Sequence, residues 1–407
     1  MSLRVTSPSA ELVRRGRESL DFARSQMPVL DAIQAEAAVN RPLEGHRISG
    51  CIHLTKETGV LVELLLAAGA EVAWTGGDEV STQDDVAAAL ADQGVRVFGR
   101  RGITTRQVEE AAAEALTAFP SGPTLVLDNG SRLIETVLGD RDRFPELLAA
   151  TEKTTEGSRR VREWNRQGRL DFPVVTVNDI VTKWEVDNTY GTGQSTVDGI
   201  LRATGALIAG KRFVVVGFGH VGRGVALRAA GLGARVIVTC RSATTAVQAR
   251  LAGYEVLPLR QAAAVADILC TATGYPDVVR GHHLDLLPSG AVLCNTGHSV
   301  TEINLAELQA RTEEVREVRP HVRRHVLAGG RYVDLLSGGG LVNLDAAEGN
   351  PSEVMDVTFA NQALAALRLG RDAAALQPGL HEVSGEQDQE VARRKLVAMG
   401  IDYDGTE

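Results

Sequence analysis

The chain has 407 residues, a length that favours two domains over a single hydrophobic core. Although 44% of the residues are hydrophobic, no long apolar run is present, which argues against a transmembrane helix, and the N-terminus lacks the apolar core of a signal peptide. The net charge of -9, without a basic cluster, argues against nucleic-acid binding. Four cysteines show no metal-ligand spacing, so we predict no metal site and expect reduced thiols in a cytoplasmic protein.

Two α/β series follow one another along the chain. The first starts at RISGCIHLTKETG with a strand and a helix, and continues through AEVAWTG, VRVFG and PTLVLDNG to FPVVTVND. A helical stretch, TGQSTVDGILRATGALIAG, connects it to the second series, which runs through AGKRFVVVG, ARVIVT, YEVLPL, ADILCTATG and SGAVLCNTGH. We therefore predict an α/β protein of two doubly wound, Rossmann-like domains facing each other across a cleft.

Domain bounds follow from the same pattern. Residues 1–190 are predicted to form a substrate-binding domain, to which a helical segment, 351–380, returns. Residues 191–350 are predicted to form a dinucleotide-binding domain, and the polar residues 381–407 a short C-terminal tail.

The run FVVVGFGHVGRG predicts a dinucleotide-binding turn, because a strand of β-branched residues leads directly into patterned glycines. Gly217 permits the tight turn, Gly219 lets the backbone approach a pyrophosphate, and Gly222 lets the next helix pack on the strand. The helix N-terminus offers free N–H groups to the phosphates. A plain glycine-rich turn is the alternative, but the second strand, ARVIVT, arrives at the expected offset.

The end of that second strand bears on the choice of cofactor. NAD sites usually place an Asp or Glu there to accept hydrogen bonds from the ribose 2′-hydroxyl, whereas this chain has Cys240, Arg241 and Ser242. A guanidinium and a hydroxyl can bind a 2′-phosphate, so NADP is favoured over NAD. The alternative is a solvated arginine on a loop.

Seven segments together carry a resemblance to a known family: GCIHLTKET, STQDD, VNDIVTKWEVDNTYG, DGILRATGALIAGK, GFGHVGRG, CNTGH and GGGLVNL. In this order and at these separations they resemble the S-adenosylhomocysteine hydrolase family over nearly the whole chain. The resemblance implies a bound dinucleotide that oxidises a nucleoside 3′-hydroxyl to a ketone, which acidifies the C4′ proton. The 5′ substituent then leaves, water adds, and the hydride returns. It also implies a homodimer or homotetramer.

Lys183 and Asp187 lie four residues apart in VTKWEVDN, so that on a helical turn both project from one face. Such a pair can take the 3′-hydroxyl proton while hydride leaves. An isolated pair of this kind is more often a surface salt bridge, but the surrounding motif favours the catalytic interpretation.

Further site residues lie at predicted strand ends. His53 and Thr55 follow the first strand, His298 follows another in NTGH, and the family's pattern places Glu57 against the adenine. A lone histidine is more often structural, yet two at strand ends favour acid–base work or sugar contacts. The resemblance adds six cofactor-binding residues: Asn188, His220, Val221, Thr273, Asn295 and Asn343.

The chain also departs from the family's pattern. LDNGSR stands where the family has LDDGGD, which puts Asn129 and Arg132 in place of carboxylates. EKTTEG stands where the family has EETTTG, which puts Lys153 where a Glu contacts the ribose and keeps Thr154. Asn350, in GNPS, replaces a His, and the family's lysine- and tyrosine-bearing C-terminal cap is expected to be absent.

These departures suggest a changed outcome of the reaction. An Asn cannot transfer protons at neutral pH, and a buried Lys needs a different group opposite it. We therefore predict a dehydratase that gives a nucleoside 4′,5′-ene, as in angustmycin-type antibiotic biosynthesis. The alternatives are an adenosylhomocysteinase, a nucleoside 3′-dehydrogenase or epimerase, and an inactive regulatory binding protein.

Overall fold

A computed structural model describes residues 2–297 and 302–406 of the chain. Its strands are β1 (Arg47–Cys51), β2 (Glu71–Thr75), β3 (Arg96–Phe98), β4 (Leu125–Asp128), β5 (Ala149–Glu152), β6 (Pro173–Thr176), β7 (Arg212–Val216), β8 (Arg235–Thr239), β9 (Glu255–Val256), β10 (Ile268–Thr271), β11 (Ala291–Asn295), β12 (Thr312–Arg319), β13 (Val322–Leu327), β14 (Tyr332–Leu336) and β15 (Gly379–Glu382).

The α-helices are α1 (Ala10–Ser25), α2 (Pro28–Asn40), α3 (Lys56–Ala67), α4 (Asp84–Asp92), α5 (Thr105–Leu116), α6 (Arg132–Gly139), α7 (Thr155–Arg166), α8 (Gly193–Thr204), α9 (His220–Gly231), α10 (Ala243–Leu251), α11 (Leu259–Ala263), α12 (Gly281–Leu284), α13 (Leu305–Gln309), α14 (Val342–Asp345), α15 (Ser352–Asp372) and α16 (Gly385–Ala398). A further helical segment with wide, π-type turns covers Thr182–Thr192. Among the described residues, no helix combines the length and the apolar character that crossing a membrane requires.

The chain divides into two compact units. Unit 1 comprises Met1–Trp184 and Ser352–Glu407, and unit 2 comprises Glu185–Pro351. Unit 1 contains a parallel sheet in the order β15-β6-β5-β4-β1-β2-β3. Leu125 and Leu127 of β4 face a core shared with α1 to α4 and α15, and Val126 faces a second core with α6 and α7. Because both faces are covered, the first three residues of the strand, Leu125 to Leu127, are apolar.

Unit 2 contains an eight-stranded sheet in the order β12-β13-β14-β11-β10-β7-β8-β9. The sheet is parallel except where β12, β13 and β14 pair antiparallel. In β7, Val214 and Val216 face one core and Phe213 and Val215 face the other. The predicted α/β class, with Rossmann-like parallel sheets, is confirmed, whereas the cleft between the domains stays a prediction.

The domain bounds differ from those expected from the sequence. The units divide at Glu185 rather than at 191, within the continuous helical segment Thr182–Thr192, where no turn or linker composition marks the change. The stretch expected to connect the two series forms α8, which belongs to unit 2 and packs against α9 and α14.

Residues 381–407, expected to be a separate tail, belong to unit 1. β15 pairs in parallel with β6, and α16 buries Val391 in the core of that unit. The segment has few apolar residues because only one stripe of α16 is buried, so its composition resembles that of a tail.

Candidate active site

The carboxyl ends of four neighbouring strands form the edge of the unit 1 sheet at which the predicted substrate residues lie. Cys51, Asp128 and Glu152, the last residues of β1, β4 and β5, are in register, and Glu152 pairs with Thr176 of β6. All four are buried. Loops that follow parallel strands meet at one edge, which is where binding residues of such sheets are expected.

His53 lies two residues beyond β1, and two polar side chains of the loop that follows β2 hold its imidazole. Its Nδ1 lies 2.7 Å from Asp78 Oδ2 and 2.9 Å from Ser81 Oγ. Burial raises the pKa of Asp78, but the charge of His53, its hydrogen bond and the Ser81 and Val80 N–H groups outweigh burial, so the pKa falls well below its usual value. The carboxylate therefore stays ionised and orients the imidazole.

Thr55 and Glu57 lie at the start of α3, which begins directly after the β1 loop. Glu57 is buried and accepts a hydrogen bond from Ser352 Oγ at 2.7 Å. Lys56 Nζ lies 3.1 Å from the same carboxylate. The carboxylate oxygens of Glu57 are acceptors, so they can receive hydrogen bonds from a base that carries an amino group.

Asn129 immediately follows β4, and within the described part of the chain its backbone is hydrogen-bonded whereas its side-chain oxygen is not. Its backbone N–H donates to Asp128 Oδ1 at 2.9 Å. Its side-chain Oδ1 is buried and has no hydrogen-bond partner among the described residues. A buried acceptor without a donor costs about 1–3 kcal/mol, so this atom is available to a ligand hydroxyl or amine.

Glu152 organises the loop that carries Asn129. Its carboxylate accepts from the N–H groups of Gly130, Ser131 and Thr154 at 3.0, 2.7 and 2.7 Å, and from the Thr154 hydroxyl at 2.7 Å. A Cβ on Gly157 would lie 2.2 Å from this carboxylate, which explains the glycine. Thr154, a predicted substrate residue, therefore has its hydroxyl in this network, where it also caps α7.

Lys153 extends from the end of β5 and is buried. Its Nζ lies 4.4 Å from the ring centroid of Phe359, on α15 of the same unit. The ring face attracts the ammonium and offsets part of its desolvation. The predicted cation at the sugar-binding position is thus held inside unit 1 and not in solvent.

Lys183 and Asp187 both lie in the helical segment Thr182–Thr192, as the motif predicts, and both are buried. Within unit 2, Asn350 Nδ2 donates to Asp187 Oδ1 at 2.7 Å and approaches Thr192 Oγ1 at 3.2 Å. Ser195 Oγ donates to Asn350 Oδ1 at 3.0 Å. Asn350, predicted to contact substrate, therefore uses both ends of its amide to hold Asp187 and its surroundings.

In the glycine turn of unit 2, Gly217, Gly219 and Gly222 differ in what a side chain at each position would meet. Gly217 has a φ of +99°, and a Cβ there would lie 2.8 Å from Ala272 O. A Cβ on Gly222 would lie 2.0 Å from Gly217 O. A Cβ on Gly219 would meet no protein atom within 4 Å, although Gly219 caps α9. The space over Gly219 fits a cofactor diphosphate, because the helix N–H groups point into it.

His220 and Val221 begin α9, and His220 Nδ1 lies 3.2 Å from Glu185 Oε1 and 2.9 Å from the Arg223 guanidinium. Burial and the charge of Arg223 lower the pKa of His220. The imidazole is therefore mostly neutral at pH 7, and the positive end at this turn comes from the helix and Arg223.

The end of β8 carries no carboxylate. Arg241 is exposed, with its guanidinium carbon 5.0 Å from the ring centroid of Tyr275. Ser242 caps α10, and its hydroxyl lies 2.7 Å from Thr244 Oγ1. Burial raises the pKa of Cys240, so its thiol is neutral. One cation, Arg241, and the hydroxyls of Ser242 and Thr244, rather than an acid, lie at the expected ribose position.

The remaining predicted cofactor residues differ in their hydrogen bonds to other described residues. Thr273 Oγ1 donates to the buried Glu302 at 2.7 Å, and Asn295 Oδ1 accepts from Thr271 and Gly297 at 3.0 and 2.9 Å. Asn343 Oδ1 is buried without a hydrogen-bond partner in residues 2–297 and 302–406, so it is suited to bind a ligand amide. Asn188 lies half-buried in the segment Thr182–Thr192. His298 lies outside the described residues.

Three residues that build the site escaped the sequence reasoning: Asp78, Glu152 and Glu302. Each is an acid in a loop or at a strand end. Glu152 could have been found from Gly157, since a glycine at the start of a predicted helix indicates a close neighbour. Asp78 and Glu302 carry no comparable signal.

Comparisons with known proteins agree with this geometry. The family model described as S-adenosyl-L-homocysteine hydrolase matches residues 8–142, and its NAD binding domain matches residues 188–349. An adenosylhomocysteinase of a Nostoc species is 45% identical over 391 residues, covering 96% of this chain and 91% of that protein. An adenosylhomocysteinase of Aeropyrum pernix is 44% identical over 395 residues, covering 97% and 94%.

A third relative has a different name. The S-inosyl-L-homocysteine hydrolase of Methanopyrus kandleri is 43% identical over 398 residues, covering 97% of this chain and 92% of that protein. The chain therefore belongs to the S-adenosyl-L-homocysteine hydrolase family, an enzyme family with an NAD-binding domain. Identity is nearly the same to relatives named for different nucleosides, so identity alone does not fix the base.

Proposed function

We propose that this member of the S-adenosyl-L-homocysteine hydrolase family oxidises the 3′-hydroxyl of an adenine nucleoside and then releases its 5′ substituent. The observation that carries the proposal is that neighbouring polar side chains hold the candidate catalytic residues in place. Lys183 and Asp187 stand in one helical segment, Asn350 holds Asp187, and Asp78 holds His53.

Each step requires specific groups of the chain. Lys183, with its amine in the neutral form, would accept the 3′-hydroxyl proton while hydride leaves C3′, and Asp187, in the same helical segment, would be its acidic partner. The glycine turn of unit 2 would hold a nicotinamide dinucleotide, which would supply the hydride acceptor for C3′ and later the hydride donor. The 3′-ketone acidifies C4′–H. The C4′–H bond and the bond from C5′ to its substituent break, a C4′–C5′ double bond forms, and the substituent leaves in its protonated form. His53, held by the Asp78 carboxylate, moves the proton on the 5′ side.

The names of the relatives support a thioether as the 5′ substituent. In that case homocysteine leaves, water adds across the 4′,5′-ene, and hydride returns to C3′ to give adenosine. Glu57, fixed by Lys56 and Ser352, would accept from the amino group of adenine. Cleavage of S-adenosylhomocysteine is accordingly the first candidate reaction.

A second candidate is the loss of water from a nucleoside with a free 5′-hydroxyl, with the 4′,5′-ene as the product. Asn129 favours it, because its unpartnered Oδ1 can accept a hydrogen bond from a substrate hydroxyl but can neither donate nor remove a proton. Lys153 favours it as well, since a buried ammonium replaces a carboxylate beside the sugar. Since Asn129 cannot take a proton from a returning water, the alkene would remain after hydride returns to C3′, and the net change would be the loss of one water.

One product analysis separates the candidates. The purified protein is incubated in parallel with S-adenosylhomocysteine and with adenosine, and the products are identified by mass spectrometry. Adenosine and homocysteine from the first substrate support hydrolysis. A product lighter than adenosine by one water supports dehydration. If neither substrate is altered and the bound cofactor is never reduced, the proposal is wrong.

We further propose that NADP is the preferred cofactor, whereas the family model is described by NAD. Arg241 supplies a charge for the 2′-phosphate and is held against Tyr275, and the hydroxyls of Ser242 and Thr244 lie together at the start of α10. The N-terminus of α10 adds a positive dipole end at the same place.

A further inference from the structure

The C-terminal helix α16 reaches the residue that precedes Lys183. Asp388, in the first turn of α16, is buried although its side chain is a carboxyl group. Its Oδ2 accepts from the Thr182 backbone N–H at 3.2 Å, and its Oδ1 accepts from the Thr182 hydroxyl. Thr182 is the first residue of the segment Thr182–Thr192, so Asp388 caps a helical segment that belongs to a distant part of the sequence.

A second buried residue fixes Asp388 in turn. Asn361 on α15 donates through Nδ2 to Asp388 Oδ1 at 3.2 Å and to Thr182 Oγ1 at 3.3 Å. Gln387 Nε2 donates to Asn361 Oδ1 at 3.2 Å. The carboxylate therefore has donors on both oxygens, which compensates for its burial and leaves it one orientation.

This cap bears directly on Lys183. The first N–H groups of a helical segment have no partner within it, and a carboxylate that accepts one of them fixes where the segment begins. Lys183 is the next residue and is buried, so the backbone position of Thr182 sets the position from which its side chain extends. Small displacements of a reacting group have large effects on rate.

We propose that Asp388 is a positioning residue for Lys183 and acts through both polar groups of Thr182. The inference rests on the proposed role of Lys183 in 3′-oxidation. Asp388 itself touches neither substrate nor cofactor in this account. Its effect is therefore on the rate of oxidation and not on nucleoside binding.

The test uses two matched variants of Thr182 and follows cofactor reduction with the full chain. Thr182→Val removes the hydroxyl at nearly constant shape, and Thr182→Ser keeps it. With adenosine or S-adenosylhomocysteine at saturation, Thr182→Val and Asp388→Asn should each slow the appearance of reduced nicotinamide about tenfold, with KM changed less than about twofold. Thr182→Ser should retain the rate. Because both changes break one contact, the double variant should lose little more than either single variant.

Ser384→Ala serves as the stability control. Ser384 caps α16 through the Gln387 N–H at 3.2 Å and makes no contact with Thr182 in this description. Its replacement should cost about 1 kcal/mol of stability without slowing oxidation. Undiminished oxidation rates in both Thr182→Val and Asp388→Asn would overturn the positioning role, as would an equal loss in Ser384→Ala. Absence of reduced cofactor in the wild-type protein would instead overturn the proposed function.

Discussion

Two acids side by side in the unit 1 sheet behave differently. Asp128 and Glu152 end neighbouring strands in register, and both are buried. Glu152 accepts hydrogen bonds from the N–H groups of Gly130, Ser131 and Thr154. Burial and the charge of Glu152 raise the pKa of Asp128 to about 7, although the N–H groups of Ile134 and Asn129 oppose the rise. At a pH below that value Asp128 is mostly protonated, so two buried carboxyl groups can lie side by side.

This pair predicts a pH dependence of the free energy of unfolding. Since folding raises the pKa of Asp128 above its unfolded value of about 4, the stabilisation is complete below that value and is lost as the pH rises towards 7. We expect the stability difference between the wild type and Asp128→Asn to fall by roughly 1.4 kcal/mol per pH unit within that window. Urea denaturation from pH 5 to 8 measures it, and parallel curves for the two proteins would contradict the assignment.

Arg241 provides a second test at the scale of single residues. Arg241→Ala should weaken NADP binding by about 1–3 kcal/mol, the range for hydrogen bonds to a charged group, and leave NAD binding nearly unchanged. Titration calorimetry with both dinucleotides measures the two affinities, and Arg241→Lys is the control that keeps the charge. Equal wild-type affinities for NAD and NADP would remove the basis for the preference.

In the glycine turn before α9, the packing of the fold requires glycine at one position and not at another. Gly222 is needed for packing, because its Cβ would collide with Gly217 O at 2.0 Å. Gly219 has no such neighbour and an ordinary negative φ, so the folded unit alone does not require glycine there. We expect a bound dinucleotide to impose the requirement for glycine there.

Matched alanine variants test this division. Gly219→Ala should leave thermal stability nearly unchanged and weaken dinucleotide binding at least tenfold, or about 1.4 kcal/mol. Gly222→Ala should instead destabilise unit 2 by about 1–3 kcal/mol through overpacking. Thermal unfolding and dinucleotide titration of both variants provide the comparison. Full dinucleotide affinity in Gly219→Ala would show that the turn is not the phosphate site.

The predictable elements were those whose strands are apolar throughout. β7 and β8, buried on both faces, read as continuous β-branched runs and were placed correctly. β5, β12, β13, β14 and β15 are not predicted from the sequence. β5 is short and ends in charged Glu152, β12 is largely exposed and charged, Asp334 interrupts the apolar pattern of β14, and β13 and β15 contain charged residues although most of their residues are at least half-buried. In the site, motif residues could be predicted, whereas Asp78 and Asp388 could not, since each acts on a residue remote in sequence.

At the scale of the whole molecule, the two units differ in how the chain builds them: unit 1 is made of two separate stretches and unit 2 of one. Unit 2 is a single stretch inserted into unit 1, which is completed only when α15, β15 and α16 return. The C-terminal segment is therefore part of the substrate unit, where it supplies Phe359 beside Lys153 and Asp388 beside Thr182. Changes near the C-terminus are expected to affect chemistry and not only stability.

The central claim is that the substrate is oxidised at C3′ and the hydride is stored on the protein's own cofactor. It is tested most directly with S-adenosylhomocysteine and adenosine carrying deuterium at C3′, followed by mass spectrometry of the cofactor after quenching during turnover. We predict that deuterium appears on the nicotinamide and that Lys183→Ala prevents the transfer. Product formation with all deuterium kept at C3′ and none on the cofactor would contradict the account.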